Sequence, residues 1–532
     1  MLDFDRDGWL DLFFTNGCRL PRQPDDRDSP SELFRHRGRL RFTRWAATAG
    51  IAQYGYAQGC AVGDFDADGF DDLYVTAYGE NRLWRNNGDG TFTDVTAATG
   101  TDVPRWSTSA AFADVNGDGV LDLYVVNYLE ESDTHPRLCP NPASPDGYEG
   151  CPPALFPGVD DVLFLGDGAG GFVDVSAAAG ISGHPGKGLG VVIADLDGDA
   201  VPEIYVANDG EANFLFVRRR QTAPASDSPP PLQFEERALL SGVALNERGF
   251  AQASMGIAAG DYDANGSTDL FLTHFFADTN TLYVNDGGLT FHEGTRGSGL
   301  GETSRQLLGF GTVFLDYDND RWLDLFVSNG HVDDRTWMSP PQPYAMPPQL
   351  YRNNRDGTFT EVSAESGDYF RGRWLGRGVA CGDLDRDGRL DLAVSHQLAP
   401  SLVLRNETLT RHGGLTVQLV GTASQRNGYG VKVELAGAAP PVVRELAGGT
   451  SYQSAPALEV HLGLGAAESV ALRIVWPAGT VDAHKNLTAG SWIAVEGGPL
   501  LRSALTAPSP PPSLSRPSSP EGGGDVPARA PR

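Results

Sequence analysis

Along the first four hundred residues, short apolar runs alternate with clusters of Asp, Asn and Gly. The runs have strand length, as in Leu73-Tyr74-Val75-Thr76 and Phe310-Gly311-Thr312-Val313-Phe314, and turn residues bound them, which predicts strands. The polar clusters recur. One loop with acidic residues at relative positions one, three, five and nine is written seven times, beginning at Asp3 (DFDRDGWLD), Asp64 (DFDADGFDD), Asp114 (DVNGDGVLD), Asp195 (DLDGDAVPE), Asp261 (DYDANGSTD), Asp316 (DYDNDRWLD) and Asp383 (DLDRDGRLD). A small, apolar strand precedes the last six loops and an apolar strand follows all seven. A hairpin comes next, clearest at 82–93 and 350–360, whose Asn, Asp and Gly suit a turn of positive φ. Each unit thus reads as four strands. A four-stranded sheet buries little alone, whereas seven arranged radially cover both faces and leave few open edges. The expected fold is all-β, with a seven-bladed β-propeller over residues 1–406, lengthened by inserts at 129–160, 219–231 and 331–348.

After Asn406 the acidic loops stop and alternating strands follow at 415–420, 431–435, 442–446, 458–462, 470–476 and 492–495, which predicts a small β-sandwich-like domain over 410–497. From Ser503 to Arg532 the chain is rich in Pro, Ser, Gly and Ala and poor in large apolar residues, so it is expected to be disordered. The seventh unit lacks its outer strand and the first blade is incomplete at the N-terminus, lacking its inner strand. A segment before Met1 would supply both, so the chain is expected to be an N-terminally truncated product or to carry a misplaced start.

The formal charge of −28, from 69 acidic and 41 basic residues, repels phosphate backbones. With lysines only at 187, 432 and 485 and scattered arginines, no basic stripe follows a nucleic-acid strand. No apolar run approaches the roughly 18 residues that span a bilayer, so membrane insertion is not expected, and the chain as given shows no signal peptide. Cys139 and Cys151 flank a Pro-rich insert and are disulfide candidates, while Cys18, Cys60 and Cys381 lie in or beside strands, as inert thiols do.

The acidic loops carry the chemistry. Ca²⁺ takes six to eight oxygens, and alternating carboxylates plus a backbone carbonyl at position seven offer them, with Gly at position six making the turn sharp. Three loops are complete: Asp3, Asp5, Asp7 and Asp11; Asp64, Asp66, Asp68 and Asp72; and Asp383, Asp385, Asp387 and Asp391. Four depart from the pattern. They hold Asp114, Asn116, Asp118 and Asp122; Asp195, Asp197, Asp199 and Glu203, with Ala200 at the Gly position; Asp261, Asp263, Asn265 and Asp269; and Asp316, Asp318, Asp320 and Asp324, with Arg321 at the Gly position. The flanks are strands and position twelve is Val75 or Val394 in place of a bidentate Glu, which excludes EF-hands. Carboxylates about 4 Å apart repel by several kcal/mol at an effective dielectric near 20, so a cation accounts for keeping them together.

These loops and their Gly-Phe-Gly or Gly-Val-Ala strands resemble the FG-GAP or VCBS repeats of integrin α-chain propellers. The region 415–495, with Asn427-Gly428-Tyr429-Gly430, His461-Leu462-Gly463-Leu464-Gly465 and Val475-Trp476-Pro477-Ala478-Gly479, resembles the ASPIC and UnbV domain of the cartilage acidic protein family. The resemblance implies a secreted (extracellular or periplasmic) calcium-binding protein, often described as adhesive, without firmly assigned catalysis. Family members have an extra strand segment before the first loop and usually a signal peptide, and this chain departs from them there.

Two functions compete. One is a non-catalytic extracellular binding or adhesion module, stiffened by several Ca²⁺ and holding a protein or a glycan. The other is an enzyme on the propeller face acting on an extracellular polymer such as a glycan. Five residues after each loop's last acid stand Asn16, Ala77, Asn127, Asn208, His274, Asn329 and His396, with His331 nearby, and His274, Asn329, His331 and His396 are the candidates for a ligand face away from the metals. Asn is also a turn-former at strand ends. No GxSxG elbow, HExxH helix or phosphate loop accompanies the ring, which favours binding.

Overall fold

A computed structural model describes residues 1–18, 20–21, 30–143, 147–219, 232–338 and 341–503. The expected disordered tail lies outside the described residues from position 504, as do most of the 219–231 insert and parts of the other two.

The chain forms many small antiparallel sheets, one per acidic loop, in a propeller-like succession. Strands Gly188–Ala194, Glu203–Asn208, Phe214–Arg218 and Phe234–Glu236 make the fourth, and Gly309–Leu315, Asp324–Asn329, Gln349–Asn353 and Phe359–Glu361 make the sixth, each in strict chain order. In both, the acidic loop joins the innermost strand to the second. The second and third repeats also have four strands each and are tied by a short pairing, Tyr78 with Trp106 and Gly79 with Arg105. The first sheet (Leu12–Phe14, Glu32–His36, Phe42–Arg44) and the seventh (Gly376–Gly382, Asp391–His396, Leu402–Leu404) have three strands among the described residues.

Inner strands of neighbouring repeats approach closely enough to require glycine. A Cβ on Gly256 would stand 2.1 Å from the Phe310 carbonyl oxygen, and one on Gly311 would stand 2.5 Å from that of Arg377. Met1, Leu10 and Leu12 share a buried cluster with Ala380, Leu384 and Ala393, so the last repeat adjoins the first. The periodicity did not predict the short helical turns after the outermost strands. Ala46–Ala49, Thr96–Thr99 and Ala238–Ser241 each end on a left-handed glycine, at 50, 100 and 242, which halts the helix after one turn.

Beyond Asn406 two four-stranded sheets share one core, with Leu415, Val417 and Leu419 of one against Val433, Leu472 and Ile474 of the other. Strands 481–487 and 500–502 add to the six that the sequence predicts. These sheets sit on the acidic loops. Tyr429 donates to the Val62 carbonyl (2.6 Å), Asn427 accepts from the Asp64 amide (2.8 Å), and Arg321 donates from Nε and Nη2 to the Leu464 carbonyl (3.1 and 2.7 Å).

Between them, residues 448–455 run along the inner strands of the repeats. Gly448 bridges Ile193 and lies against the Phe112 carbonyl; Ser451 bridges Ile257; Tyr452 packs edge-on to Phe310 at 4.9 Å. Gln453 bonds Gln58 (2.7 Å), Ser454 lies against Gly378, and the Ala455 carbonyl accepts from the Met1 ammonium (2.8 Å). Each of the seven repeats is thereby touched. Cys139 and Cys151 form the expected disulfide, with Cα atoms 5.0 Å apart, while Cys60 and Cys381 are thiols outside it. Among the described residues no helix is long and apolar enough to cross a membrane.

Candidate functional site

All seven acidic loops share one backbone geometry. Position six has positive φ in each, at Gly8, Gly69, Gly119, Ala200, Gly266, Arg321 and Gly388. The fourth and sixth loops therefore hold the turn without glycine, with Ala200 at φ 67° and Arg321 at φ 87°. Position four is left-handed too, at Arg6, Ala67, Gly117, Gly198, Ala264, Asn319 and Arg386, which the sequence does not announce because most of these side chains rarely adopt it.

Two left-handed residues turn the loop's amides inward, onto its own carboxylates. The first Asp accepts from the amides at positions five and six: Asp316 from Asp320 (2.9 Å) and Arg321 (2.8 Å), Asp383 from Asp387 (3.0 Å) and Gly388 (2.9 Å). The last acid is a brace. Asp72 takes the amides of Phe65 (3.1 Å) and Asn86 (2.7 Å), and Asp269 those of Tyr262 (3.1 Å) and Asn285 (2.8 Å), tying the loop to the third strand.

The structure brings the acids together. Ligand oxygens lie within 4.8 Å of one another in the groups Asp3, Asp5 and Asp11; Asp64, Asp66 and Asp72; Asp195, Asp197 and Asp199; Asp261, Asp263 and Asp269; and Asp316, Asp318 and Asp320. In the third loop Asp114 likewise accepts from the Asp118 and Gly119 amides and Asp122 from the Val115 amide, while Asn116 Nδ2 donates to Asp118 (2.8 Å). Burial, reinforced by the neighbouring acids, raises Asp11 to about 8, Asp72 to about 9, Glu203 to about 9 and Asp269 to about 8, and raises Asp3, Asp64 and Asp316 to about 7. Asp5 Oδ1 and Asp64 Oδ1 are buried and accept no hydrogen bond. Oxygens without donors, on acids that resist ionising alone, fit a hard divalent cation.

Basic side chains grade the seven. Arg35 pairs with Asp5, Arg355 with Asp320, and Arg405 with Asp385 (2.7 Å), each from the same repeat as its acid: Arg35 from a strand, Arg355 from the hairpin turn and Arg405 from just past the last strand. Arg389 pairs with Asp387 inside the seventh loop. From the C-terminal sheets Lys432 reaches Asp195 (2.7 Å) and Arg426 reaches Asp64 (3.3 Å). No ion pair is seen for Asp261, Asp263 or Asp269 among the described residues. Asp114, Asp118 and Asp122 likewise show none among the described residues, so the third and fifth loops are the least neutralised by protein.

The proposed ligand face is corrected. His274 is 1% exposed and bonds Thr281 Oγ1 (3.0 Å); Asn329 is 1% exposed and donates to the Pro347 carbonyl (2.9 Å); His331 is 0% exposed and accepts from the Asp333 amide (3.1 Å). They brace strand ends inside the ring. His396, held by Tyr369 Oη (3.0 Å) and the Pro400 carbonyl (2.8 Å), does border a cavity. The hairpin asparagines hold something the sequence reading missed. Asn86, Asn285, Asn353 and Asn406 each donate from Nδ2, at 2.8 Å, to the carbonyl at position two of the preceding loop, in Phe4, Leu196, Tyr262 and Tyr317. Their recurrence one strand after the loop is the signal that could have shown it.

Residues 3–75, 64–125 and 316–394 match the FG-GAP-like repeat family, and residues 421–498 match ASPIC and UnbV. Human cartilage acidic protein 1 is 25% identical over 331 residues, covering 60% of this chain and 45% of that protein. The Xenopus tropicalis protein of the same name is 24% identical over 326 residues, covering 58% and 44%. The chain thus spans less than half the length of these relatives. Among solved structures, an Agrocybe aegerita lectin that recognises non-reducing terminal N-acetylglucosamine aligns over 70% of this chain and 88% of its own, at 14% identity and a TM-score of 0.38, a likeness too loose to carry any argument. The chain carries FG-GAP-like repeats followed by an ASPIC and UnbV domain and is distantly similar to cartilage acidic protein 1.

Proposed function

We propose that the chain is an extracellular binding module, a seven-bladed β-propeller over residues 1–406 stiffened by Ca²⁺ and capped by a β-domain over 410–497, which acts by holding a partner. The observation that carries this is the repeated loop, in which buried carboxylates converge within 4.8 Å on one conserved turn geometry. Asp261, Asp263 and Asp269, which converge without an ion pair among the described residues, would hold the cation most readily, and the bound ion would supply the charge that lets these acids ionise together. Sites of about 10⁻⁴ M affinity fill at extracellular calcium and stand empty in the cytosol. The Cys139–Cys151 disulfide supports the same oxidising compartment.

Equilibrium dialysis with radioactive calcium tests this. Saturable binding of more than one ion per chain below 1 mM is expected. Absence of saturable uptake would sink the proposal.

A further inference from the structure

On the face away from the acidic loops, where inner strands begin and second strands end, a cavity of about 1350 Å³ opens over Tyr452 and Gln453. Its wall is aromatic. Tyr78 stacks on Trp106 with centroids 4.1 Å apart and planes 13° off parallel; Tyr56 meets Tyr78 at 6.2 Å and Tyr128 meets Trp106 at 5.1 Å, both edge-on. Trp106 Nε1 is buried and has no hydrogen-bond partner. Aromatic walls with a few placed polar groups are the usual make-up of a small-ligand site.

Arg377 lines the same cavity. Its guanidinium lies 4.2 Å over the Phe310 ring and donates only to neutral oxygens: the carbonyls of Gly376 (2.8 Å), Gly330 (3.3 Å) and His331 (3.2 Å), and the side chain of Gln397. No carboxylate pairs with it among the described residues, and its Nε–H has no protein acceptor there. Of the other charges, Arg335 pairs with Asp333 (3.2 Å) and Lys187 with Glu211 beside the lining (2.9 Å), while Glu131, Arg137, Glu149 and Asp209 also border the cavity, Asp209 accepting from Tyr128 Oη (2.5 Å). In a chain of formal charge −28, a cation left without an acid at a cavity is a place prepared for an anion brought from outside.

We propose that this cavity binds a uronic-acid residue of a glycan, its carboxylate on Arg377 and its sugar ring against the Tyr78–Trp106 wall. The carboxylate answers a guanidinium that no acid pairs among the described residues, and the ring's C–H face suits an aromatic plane. A neutral apolar ligand would leave the guanidinium without a counter-charge, and a phosphate ester would leave the aromatic wall unused. The inference rests on the binding-module reading but is tested apart from it, because calcium uptake and ligand uptake are measured separately.

The test titrates the full chain, in calcium, with a glucuronic-acid-ended disaccharide and with its methyl ester, following tryptophan fluorescence and heat. The acid is expected to bind at least about tenfold more tightly than the ester. Arg377→Gln should abolish that preference, Arg377→Lys should keep part of it, and Trp106→Ala should weaken both sugars. Melting midpoints in calcium show that each variant is folded, and the lysine variant decides if the glutamine variant is not. Equal affinity for acid and ester, no detectable binding of either at 10 mM, or an Arg377→Lys chain with wild-type affinity alongside an unaffected Arg377→Gln chain would overturn it.

Discussion

Replacing Asp66 by Asn should stabilise the protein without calcium and destabilise it with calcium. Asp66 sits within 4.8 Å of Asp64 and Asp72 and accepts one long bond, 3.3 Å from the Asp68 amide, which an Asn oxygen can also accept. At that separation a carboxylate pair repels by about 3.5 kcal/mol at a dielectric of 20. Solvent reaches Asp66, so about 1 kcal/mol is the relief to expect in chelator. In 10 mM calcium, a site of 10⁻⁴ M affinity contributes about 2.7 kcal/mol. Losing it against a relief of about 1 leaves a deficit of about 1.7 kcal/mol. With an unfolding entropy near 2.1 cal/mol/K per residue over about 500 residues, the midpoint should rise by about 1 °C in chelator and fall by about 1.7 °C in calcium. Scanning calorimetry of wild type and variant in both media resolves such shifts. A shift of the same sign in both media would refute the cation site.

Three further outcomes are expected. Ala200→Gly, relieving φ 67°, should stabilise by about 1 kcal/mol, whereas Arg321→Gly relieves φ 87° but gives up both bonds to Leu464 and should destabilise by about 1 kcal/mol; urea midpoints moving together would contradict the tether. Asn353→Ala removes donors to Tyr262 and Leu323 (2.8 and 3.0 Å) from a buried position and should cost about 2–3 kcal/mol, read as the drop in urea midpoint, and a loss below 0.5 kcal/mol would show the latch to be idle. Without calcium, the melting midpoint should fall as pH rises from 5 to 9. The folded values of Asp3, Asp11 and Asp72, about 7, 8 and 9, lie above the unfolded value near 3.9, so the stability they lend is full below that value and is lost as pH climbs through 7 to 9. Calcium should flatten this slope, and a chelated midpoint that is constant or rising would contradict it.

Strand order within the repeats was legible because the same polar spacing recurs seven times, and repetition removes the ambiguity that any one Asp-rich turn leaves. The loop acids were legible for the same reason. Left-handed backbone at Arg6, Ala67 and Arg386 was not, because it is imposed by the turn as a whole and carried by side chains with no preference for it. His274 and Asn329 were misplaced since a shared position in the repeat says that residues play one role, and here the role is bracing. Arg377 gave no local sign at all. Its significance lies in what does not stand beside it, which only three dimensions reveal.

Residues 448–455 have a consequence for how the molecule is made. Asn406, the last residue of the seventh repeat to latch its neighbour, precedes Pro456 by 50 residues, and at roughly 5–20 residues per second those take about 2.5–10 s to emerge from a ribosome. For that interval the seven repeats exist with the surfaces around Ile193, Ile257 and Phe310 still waiting for the strand that will lie on them. The segment that touches every repeat is thus made only after all of them, so damage to it should reach abundance and solubility before it reaches any function of the repeats.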